Sequence, residues 1–302
     1  MYLDDRHEIL TKPDKPNTLS NQMVAMGKAL MRAKKLMSIE ERKLLIMALT
    51  KMRWNERDNS LTVRMSKVEI AEILEWSQTK KLKQLANNLM IHSKIEFAKQ
   101  DEEFWKSSML IIDVETQERG ILDITFNPGY RDLLENLSKD RDFVTIWAND
   151  VYKFNSVYAY LLFEDLRLHS DTRHTNWRTY TTRELKELFD MPESGKGSYM
   201  HFDKRQNKEV FNRTLFEKKV LEQVIKEINQ TEMLKIKWFA GCEASEKKPN
   251  ALYQKEKKNG YVAGYTFKYD IYTHVEASDR YIEAEAEDMQ LEGQMSIEDY
   301  IN

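Results

Sequence analysis

The sequence has few of the residues that interrupt regular structure, and it has almost no cysteine. Its 302 residues include 9 glycines, 5 prolines and a single cysteine, Cys242. Such a composition excludes a collagen-like chain, and 41% hydrophobic residues are enough to bury a core. One cysteine excludes an internal disulfide and a cysteine-based metal site. We therefore expect a reducing, cytoplasmic compartment.

Long apolar runs are also missing. The stretch "MYLDDRHEILTKPDKPNTLSNQ" lacks the apolar segment of a signal peptide, and no window of the sequence reaches the roughly 18 apolar residues of a membrane span. We expect no contact with a membrane. Residues 1–19 contain two prolines among polar residues and show no periodicity, which predicts a flexible arm.

The net charge of −3 combines two regions of opposite sign. Residues 274–302 contain nine acidic residues and one basic residue, so the rest of the chain has 46 basic and 41 acidic residues. A mildly basic body is compatible with a nucleic-acid partner. The segment 273–302 is predicted to be an acidic, disordered tail.

The motifs of several enzyme classes are absent. Asp190 occupies the place where a phosphate-binding loop ending in Gly195 and Lys196 would have its first glycine. The six histidines are scattered, without the closely spaced pair of a rolling-circle nickase, and no serine or cysteine triad is recognisable. The sequence therefore predicts a binding protein rather than an enzyme, with no cofactor and no metal.

Two stretches of the sequence repeat the same pattern. In "RMSKVEIAEILEW" (64–76) and "RTYTTRELKELFDM" (178–191), Ser66 aligns with Thr181 and Glu69 with Glu184. A hydroxyl residue followed three positions later by glutamate is a capping box, which begins a helix. Short β-branched stretches precede both boxes. The repeat predicts a strand that leads into a helix at the same place in two modules.

The elements around each repeat follow one order, namely helix, strand, helix, helix and hairpin. This order is typical of the winged-helix form of the helix-turn-helix. The predicted fold class is α+β and helix-rich, with two tandem winged-helix domains at 20–150 and 151–272. The third helix falls in "SQTKKLKQLANNLMIHSKIEF" in the first domain and in "LFEKKVLEQVIKEIN" in the second. The second wing is predicted as "EMLKIKWF" and "YVAGYTFKY", joined by about twenty polar residues.

A winged helix places its third helix in the major groove and its wing on the neighbouring backbone. Polar and basic residues cluster where these two elements begin or turn, and they are the candidate DNA-binding residues. They are Thr79, Lys80, Lys81 and Lys83 in the first domain, and Lys204, Arg205, Asn212, Arg213, Lys218, Lys219, Lys247, Lys248 and Lys257 in the second. The alternative is that they form the solvated faces of amphipathic helices and, in the wing, a solvated loop.

Four segments carry a resemblance to a known family: "NQMVAMGKALMRAKKLMSIEERKLLIMALTKM", "FNPGYRDLLENL", "NSVYAYLLFEDLRLH" and "FEKKVLEQVIKEINQTEMLKIKW". Over residues 20–270 the chain resembles the plasmid replication initiators of the Rep_3 type, which include the F plasmid initiator. The resemblance implies a double winged-helix protein that binds repeated origin sequences (iterons) in double-stranded DNA as a monomer. It also implies that the protein helps to open the origin and recruits host replication proteins, namely an initiator, a helicase and a sliding clamp.

The same resemblance implies a homodimer, formed through the first domain, that represses its own gene at an inverted repeat. Two features depart from the family. The segment 192–212 is longer than usual, and the acidic tail is not part of the family's common core. Within that tail, "GQMSIEDY" resembles a sliding-clamp peptide without its aromatic residue, and a disordered solubilising tail is the preferred interpretation. Two other functions stay open, a winged-helix transcriptional regulator without a replication role and a protein-interaction scaffold.

Overall fold

A computed structural model describes residues 23–27, 37–52, 61–76, 81–98, 105–117, 120–131, 143–170, 175–204, 207–237 and 252–273. The predicted N-terminal arm and the acidic tail from residue 274 onward lie outside these ranges. Within them, no helix is long and apolar enough to cross a membrane.

The first half of the chain forms one winged-helix module. Its elements are β1 (Met23–Gly27), α1 (Ile39–Thr50), β2 (Thr62–Ser66), α2 (Lys67–Ile73), α3 (Leu82–His92), β3 (Lys94–Ala98), β4 (Trp105–Met109), β5 (Ile111–Gln117), β6 (Ile121–Phe126), β7 (Phe143–Trp147) and α4 (Ala148–Tyr152). Strands β5 and β6 form the wing, and β2 joins it in an antiparallel sheet of order β2-β6-β5. Strands β3 and β4 form a separate hairpin, and β1 pairs with β7.

The second half repeats this arrangement. Its elements are α5 (Val157–Leu168), β8 (Thr175–Thr181), α6 (Thr182–Leu188), β9 (Met200–Asp203), β10 (Lys208–Phe211), α7 (Arg213–Phe216), a π-helical segment (Glu217–Leu221), α8 (Glu222–Ile228), β11 (Leu234–Lys237), β12 (Gln254–Lys258) and β13 (Tyr261–Ile271). The long strand β13 pairs with β8 along one edge and with β12 and β11 along the other. The predicted fold class is confirmed, while the exact limits of the domains stay predictions.

The repeated sequence pattern is a repeated structure. Ser66 ends β2 and caps α2, and Thr181 ends β8 and caps α6. Both form the predicted capping box, with Glu69 and Glu184 respectively. We call α2 and α6 the support helices, and the sheets that contain β2 and β8 the wing sheets. Because one residue ends the strand and begins the helix, each support helix has a fixed direction relative to its wing sheet.

The two support helices also end in the same way. Glu75 and Asp190 have left-handed backbone conformations, with φ of 53° and 49°. The next residue in each case, Trp76 or Met191, donates its amide to the carbonyl five residues earlier, at 2.8 and 2.9 Å. This pattern satisfies helix-end carbonyls and reverses the chain direction. The chain therefore leaves both support helices along equivalent paths.

The structure differs from the sequence-based prediction in four places. The apolar runs after α3 predict two or three strands, whereas four follow it. Strand β12 lies in the connection that was predicted to be only polar, and hairpin β9–β10 lies in the long segment 192–212. The stretch "FVTIWANDVYKF" (143–154) predicts an extended segment, but its residues 148–152 form α4. The sequence "QKEKK" of β12 has no apolar alternation, because neither of its faces is packed into the core.

The helix run 213–228, formed by α7, the π-helical segment and α8, buries its predicted inward face. The residues on that face are each at most 2% exposed, and they are Phe216, Val220, Leu221, Val224, Ile225 and Ile228. The ring of Phe216 lies 6.4 Å from that of Phe189, at the end of the support helix, and 6.2 Å from that of Tyr265 in β13. One aromatic side chain therefore joins the run to the support helix and to the wing sheet.

The junction between the modules contains charged groups that are shielded from water. Arg42 in α1 is 0% exposed, and its Nη1 lies 3.9 Å from Oε2 of Glu164 in α5. Its guanidinium lies over the ring of Tyr160, 5.0 Å from the centroid, and the Tyr160 hydroxyl donates to Glu164. Burial lowers the pKa of Arg42, and the Glu164 carboxylate opposes that shift. An ion pair thus connects the first helix of each module.

Asp150 forms a second connection at the junction. It lies in α4 with 0% exposure and accepts the backbone amides of Glu232 at 2.7 Å and Met233 at 2.9 Å. Burial raises its pKa from 3.8 to about 6, although the two amide bonds oppose this shift. The carboxylate holds α4 to the turn that follows the run 213–228.

The raised pKa of Asp150 leads us to predict how the stability of the protein depends on pH. Because its pKa is higher in the folded state, its contribution to stability is largest below pH 4 and falls as pH rises to about 6. A shift of about two pKa units corresponds to about 3 kcal/mol. We expect Asp150→Asn, which does not titrate, to lack this component in urea unfolding measured between pH 4 and 7. An unchanged pH dependence would contradict the assignment.

Candidate nucleic-acid interface

The outward face of the run 213–228 is mostly polar, and all of its exposed charged side chains are lysines. Asn212 begins the run, and its Oδ1 accepts the amide of Leu215 at 3.0 Å. The exposed side chains of the run are Thr214, Leu215, Lys218, Lys219, Gln223 and Lys226. Leu215 is 41% exposed and adds an apolar surface beside these polar groups. This face combines positive charge, hydrogen-bonding groups and one apolar contact surface.

The π-helical segment ties this face to the wing. Glu217, at its start, is 9% exposed and points inward. Its carboxylate accepts from Nζ of Lys255 in β12 at 2.6 Å and from the hydroxyl of Tyr265 in β13 at 3.0 Å. Burial and the Glu217 charge raise the pKa of Tyr265, so that its hydroxyl remains a donor. π-helical turns often occur at functional sites. Here the turn fixes Lys218 and Lys219 relative to the wing.

The wing of the second module ends in a tight basic turn. Asn259 and Gly260 connect β12 to β13, with φ of 52° and 80°. Two successive left-handed residues form a type I′ turn, for which Asn-Gly is strongly preferred. Lys257, Lys258 and Tyr261 are exposed around this turn, and Tyr261 is 70% exposed. The tip therefore presents two cations and an aromatic ring.

A cleft separates the support helix α6 from β10 and the start of α7. Its volume is about 610 Å³, and basic and acidic residues both line it. Arg183 forms an ion pair with Glu187 at 2.7 Å, and Nζ of Lys186 lies 4.6 Å from the centre of the Phe211 ring. Arg183 and Lys186 are therefore already engaged in part by neighbouring side chains of the protein. The cleft is therefore a weaker anion site than the outward face of the run 213–228.

The first module is less basic. Lys81 and Lys83 are exposed at the start of α3, together with Gln84 and Asn87. Its wing differs from that of the second module, because the exposed residues of β5 include Asp113 and Glu115. Carboxylates repel a phosphate backbone. Among the described residues of the first module, the start of α3 therefore suits a phosphate backbone better than β5 does.

The predicted site residues fall into three groups. Those described and exposed are Lys81, Lys83, Lys204, Lys218, Lys219 and Lys257. Those outside the described residues are Thr79, Lys80, Arg205, Lys247 and Lys248. The third group is Asn212 and Arg213, and both are only half-exposed. Contact of any of them with DNA stays a prediction.

Asn212 and Arg213 are partly used by the fold. A paired hydrogen bond from asparagine to a purine needs both the oxygen and the nitrogen of its amide. Because Oδ1 of Asn212 caps α7, such a paired contact is not available in this conformation. Nε of Arg213 is buried, and it has no hydrogen-bond partner among the residues that the structure describes. Arg213 therefore points partly into the protein.

Several exposed residues of this surface were missed from sequence. Lys258 and Tyr261 follow from the Asn-Gly turn, a signal that was present in the sequence. Leu215 was not distinguishable, because it adjoins the buried Phe216 in an apolar pair. The described residues contain no group of three or more His, Cys, Asp or Glu side chains that could hold a metal.

Residues 23–167 match the family described as "Initiator Replication protein, WH1". This match places residues 23–167 in the Rep_3 family of plasmid replication initiators. Among solved structures, this initiator is similar to the Pi initiator protein in complex with iteron DNA, with 15% identity and a TM-score of 0.58. The similarity covers 84% of this chain and 98% of that one, and it shows a shared fold.

Two structures of RctB are more distant. The selenomethionine form of its domains 2 and 3 has 9% identity and a TM-score of 0.40, covering 78% of this initiator and 82% of that chain. RctB domains 2–3 have 12% identity and a TM-score of 0.37, covering 82% and 84%. No curated protein matches the initiator.

The Glu217 contacts predict a loss of stability in a variant of this initiator. Glu217→Ala removes the acceptor of both Lys255 and Tyr265, and an unpaired buried group costs about 1–3 kcal/mol. We expect that decrease in the free energy of unfolding in urea. Glu222→Ala, a half-buried glutamate of the same run, is the control and should change stability less. Equal stability of Glu217→Ala and the unaltered protein would contradict the structural role.

Proposed function

We propose that this initiator binds repeated origin sequences in double-stranded DNA and that its second module reads the sequence. The observation that carries the proposal is the exposed basic face of the run 213–228, fixed through Glu217 to a basic wing tip. The fold similarity to the Pi initiator, whose structure contains iteron DNA, supports the same conclusion.

The two basic surfaces suit two different parts of DNA. The run 213–228 enters the major groove, where Lys218 and Lys219 meet phosphates or the acceptor atoms of guanine. Lys257 and Lys258 at the wing tip contact the neighbouring backbone. In the first module, Lys81 and Lys83 contact an adjacent turn of the duplex, since its acidic wing is unsuited to phosphate.

Leu215 gives the run a contact that lysine cannot supply. Thymine carries a C5-methyl group in the major groove, and apolar side chains recognise it by direct contact. Leu215 lies in the first turn of the run, whose residues reach base edges in helix-turn-helix proteins. With 41% of its surface exposed, it loses contact with water on binding. We expect it to prefer thymine at one position.

The family match supports a wider role. We infer that the protein acts in the cytoplasm without enzymatic activity, helps to open the origin, and recruits host replication proteins, including an initiator, a helicase and a sliding clamp. A homodimer formed through the first module represses its own gene at an inverted repeat, and the monomer binds iterons. Maintenance of a plasmid that depends on this gene separates this role from that of a transcriptional regulator.

The lysine pair predicts a change in salt dependence. Each phosphate contact contributes about 0.9 to the slope of log affinity against log salt concentration. We expect the double variant Lys218→Ala/Lys219→Ala to lower this slope by about 1.8 in filter binding and to abolish plasmid maintenance. Lys94→Ala, an exposed lysine in β3, is the control. An unaltered slope in the double variant would show that these lysines do not contact phosphate.

Leu215 predicts sensitivity to a single methyl group. Replacing one thymine by uracil at the contacted position removes only the C5-methyl, which we expect to weaken binding about threefold to tenfold, as about 1 kcal/mol implies. Leu215→Ala should bind both duplexes equally. Competition binding with each thymine replaced in turn measures this. If the protein and Leu215→Ala discriminate to the same extent, Leu215 is not the reader.

A further inference from the structure

The hairpin β9–β10 is inserted between the support helix and the run 213–228. The corresponding connection in the first module spans residues 74–81, whereas that in the second spans 189–212. Strands β9 and β10 pair from Met200 with Phe211 to Asp203 with Lys208. The helix-turn-helix fold does not need this hairpin. Its position places it directly before the run that is proposed to enter the major groove.

The base of the hairpin is held firmly. The amide of Asn212 donates to the carbonyl of Tyr199 at 2.7 Å, which closes the hairpin one residue before α7. The rings of Tyr199 and Phe211 lie 6.0 and 5.2 Å from Phe216. Phe216 is fully buried and belongs to α7. The hairpin base therefore moves with the start of the run 213–228.

The outer part of the hairpin carries an exposed aromatic residue beside positive charge. Phe202 is 57% exposed, and it pairs across the strands with Glu209. Side chains alternate along a strand, so Phe202 faces the same side as Met200 but lies farther from the base. Lys204 is exposed in the turn. The hairpin sequence from Met200 to Phe211 has three basic residues and two acidic ones, and the acidic Glu209 is exposed on the same side as Phe202.

We propose that this hairpin is a second DNA-contacting element, in which Phe202 inserts between neighbouring base pairs in the minor groove beside the bases read by the run 213–228. Lys204 contacts the adjoining phosphates. The inference rests on the proposed function. Apolar wedges of this kind are used by minor-groove proteins, which unstack one base step and bend the duplex.

Reach and charge both favour DNA as the occupant. Phe202 lies two residues beyond Met200, or about 7 Å farther from the base at about 3.3 Å per residue, which is comparable to the ~7.5 Å depth of a minor groove. A protein partner would satisfy Phe202 equally well, but it would not explain the basic turn beside it. Unstacking is least costly at flexible pyrimidine–purine steps, so we expect insertion at such a step. A base step opened beside the binding site would assist opening of the origin.

The test uses the full chain and an origin duplex identified by footprinting. 2-Aminopurine, whose fluorescence rises when it unstacks, replaces one base at a time. We expect a severalfold increase at one step next to the site, its loss in Phe202→Ala, and its retention in Phe202→Leu, which keeps an apolar wedge. Ile112→Ala, which removes an apolar side chain of 49% exposure in β5, is the matched control and should keep the signal.

The outcomes separate this inference from the proposed function. If the unaltered protein binds the duplex but no step brightens, or if Phe202→Ala keeps the signal, the wedge is wrong and the proposed function stands. If the unaltered protein does not bind origin DNA, both are wrong. Phe202 lies at the surface, so we expect Phe202→Ala to unfold at the same urea concentration as the unaltered protein. A large loss of stability would contradict the exposed placement on which the inference depends.

Discussion

The two modules meet at charges that cannot reach water. Arg42 and Glu164 are both nearly fully buried, and each lies in the first helix of its module. A buried ion pair contributes little net stability, but separating its members would leave an uncompensated charge. The junction therefore has a strongly preferred geometry. Asp150, which holds α4 to the turn after the run 213–228, restrains the same junction from another side.

The two modules share the arrangement of support helix and wing sheet, but they differ in the charges on their surfaces. Ser66 and Thr181 set the same joint between strand and helix in both. The second module then places lysines on its recognition helix and wing tip, whereas the first has an acidic wing. Under the proposed function, this difference in charge assigns the reading of DNA to the second module and leaves the wing of the first for other contacts.

Much of the frame could be predicted from sequence, because it depends on local patterns. The capping boxes and the inward stripe of the run 213–228 are set by spacing along one helix. Strand β12 could not be predicted, since "QKEKK" lacks the alternation that one-sided burial produces. The burial of Arg42 could not be predicted from such patterns either. It is a charged residue in a helix that is buried on nearly all sides, and its partners Tyr160 and Glu164 are distant in sequence. Likewise, nothing local distinguishes the exposed Leu215 from the buried Phe216.

The contact between Phe189 and Phe216 has a consequence for how this fold can change. It holds the support helix against the run 213–228 whatever the length of the chain between them. The roughly threefold longer connection in the second module costs only about 1 kcal/mol of loop-closure entropy. The connection between the support helix and the run 213–228 can therefore change in length at little cost in stability. A lineage of initiators could gain, lose or exchange short segments at this point and alter its choice of replication origin while the core stays as it is.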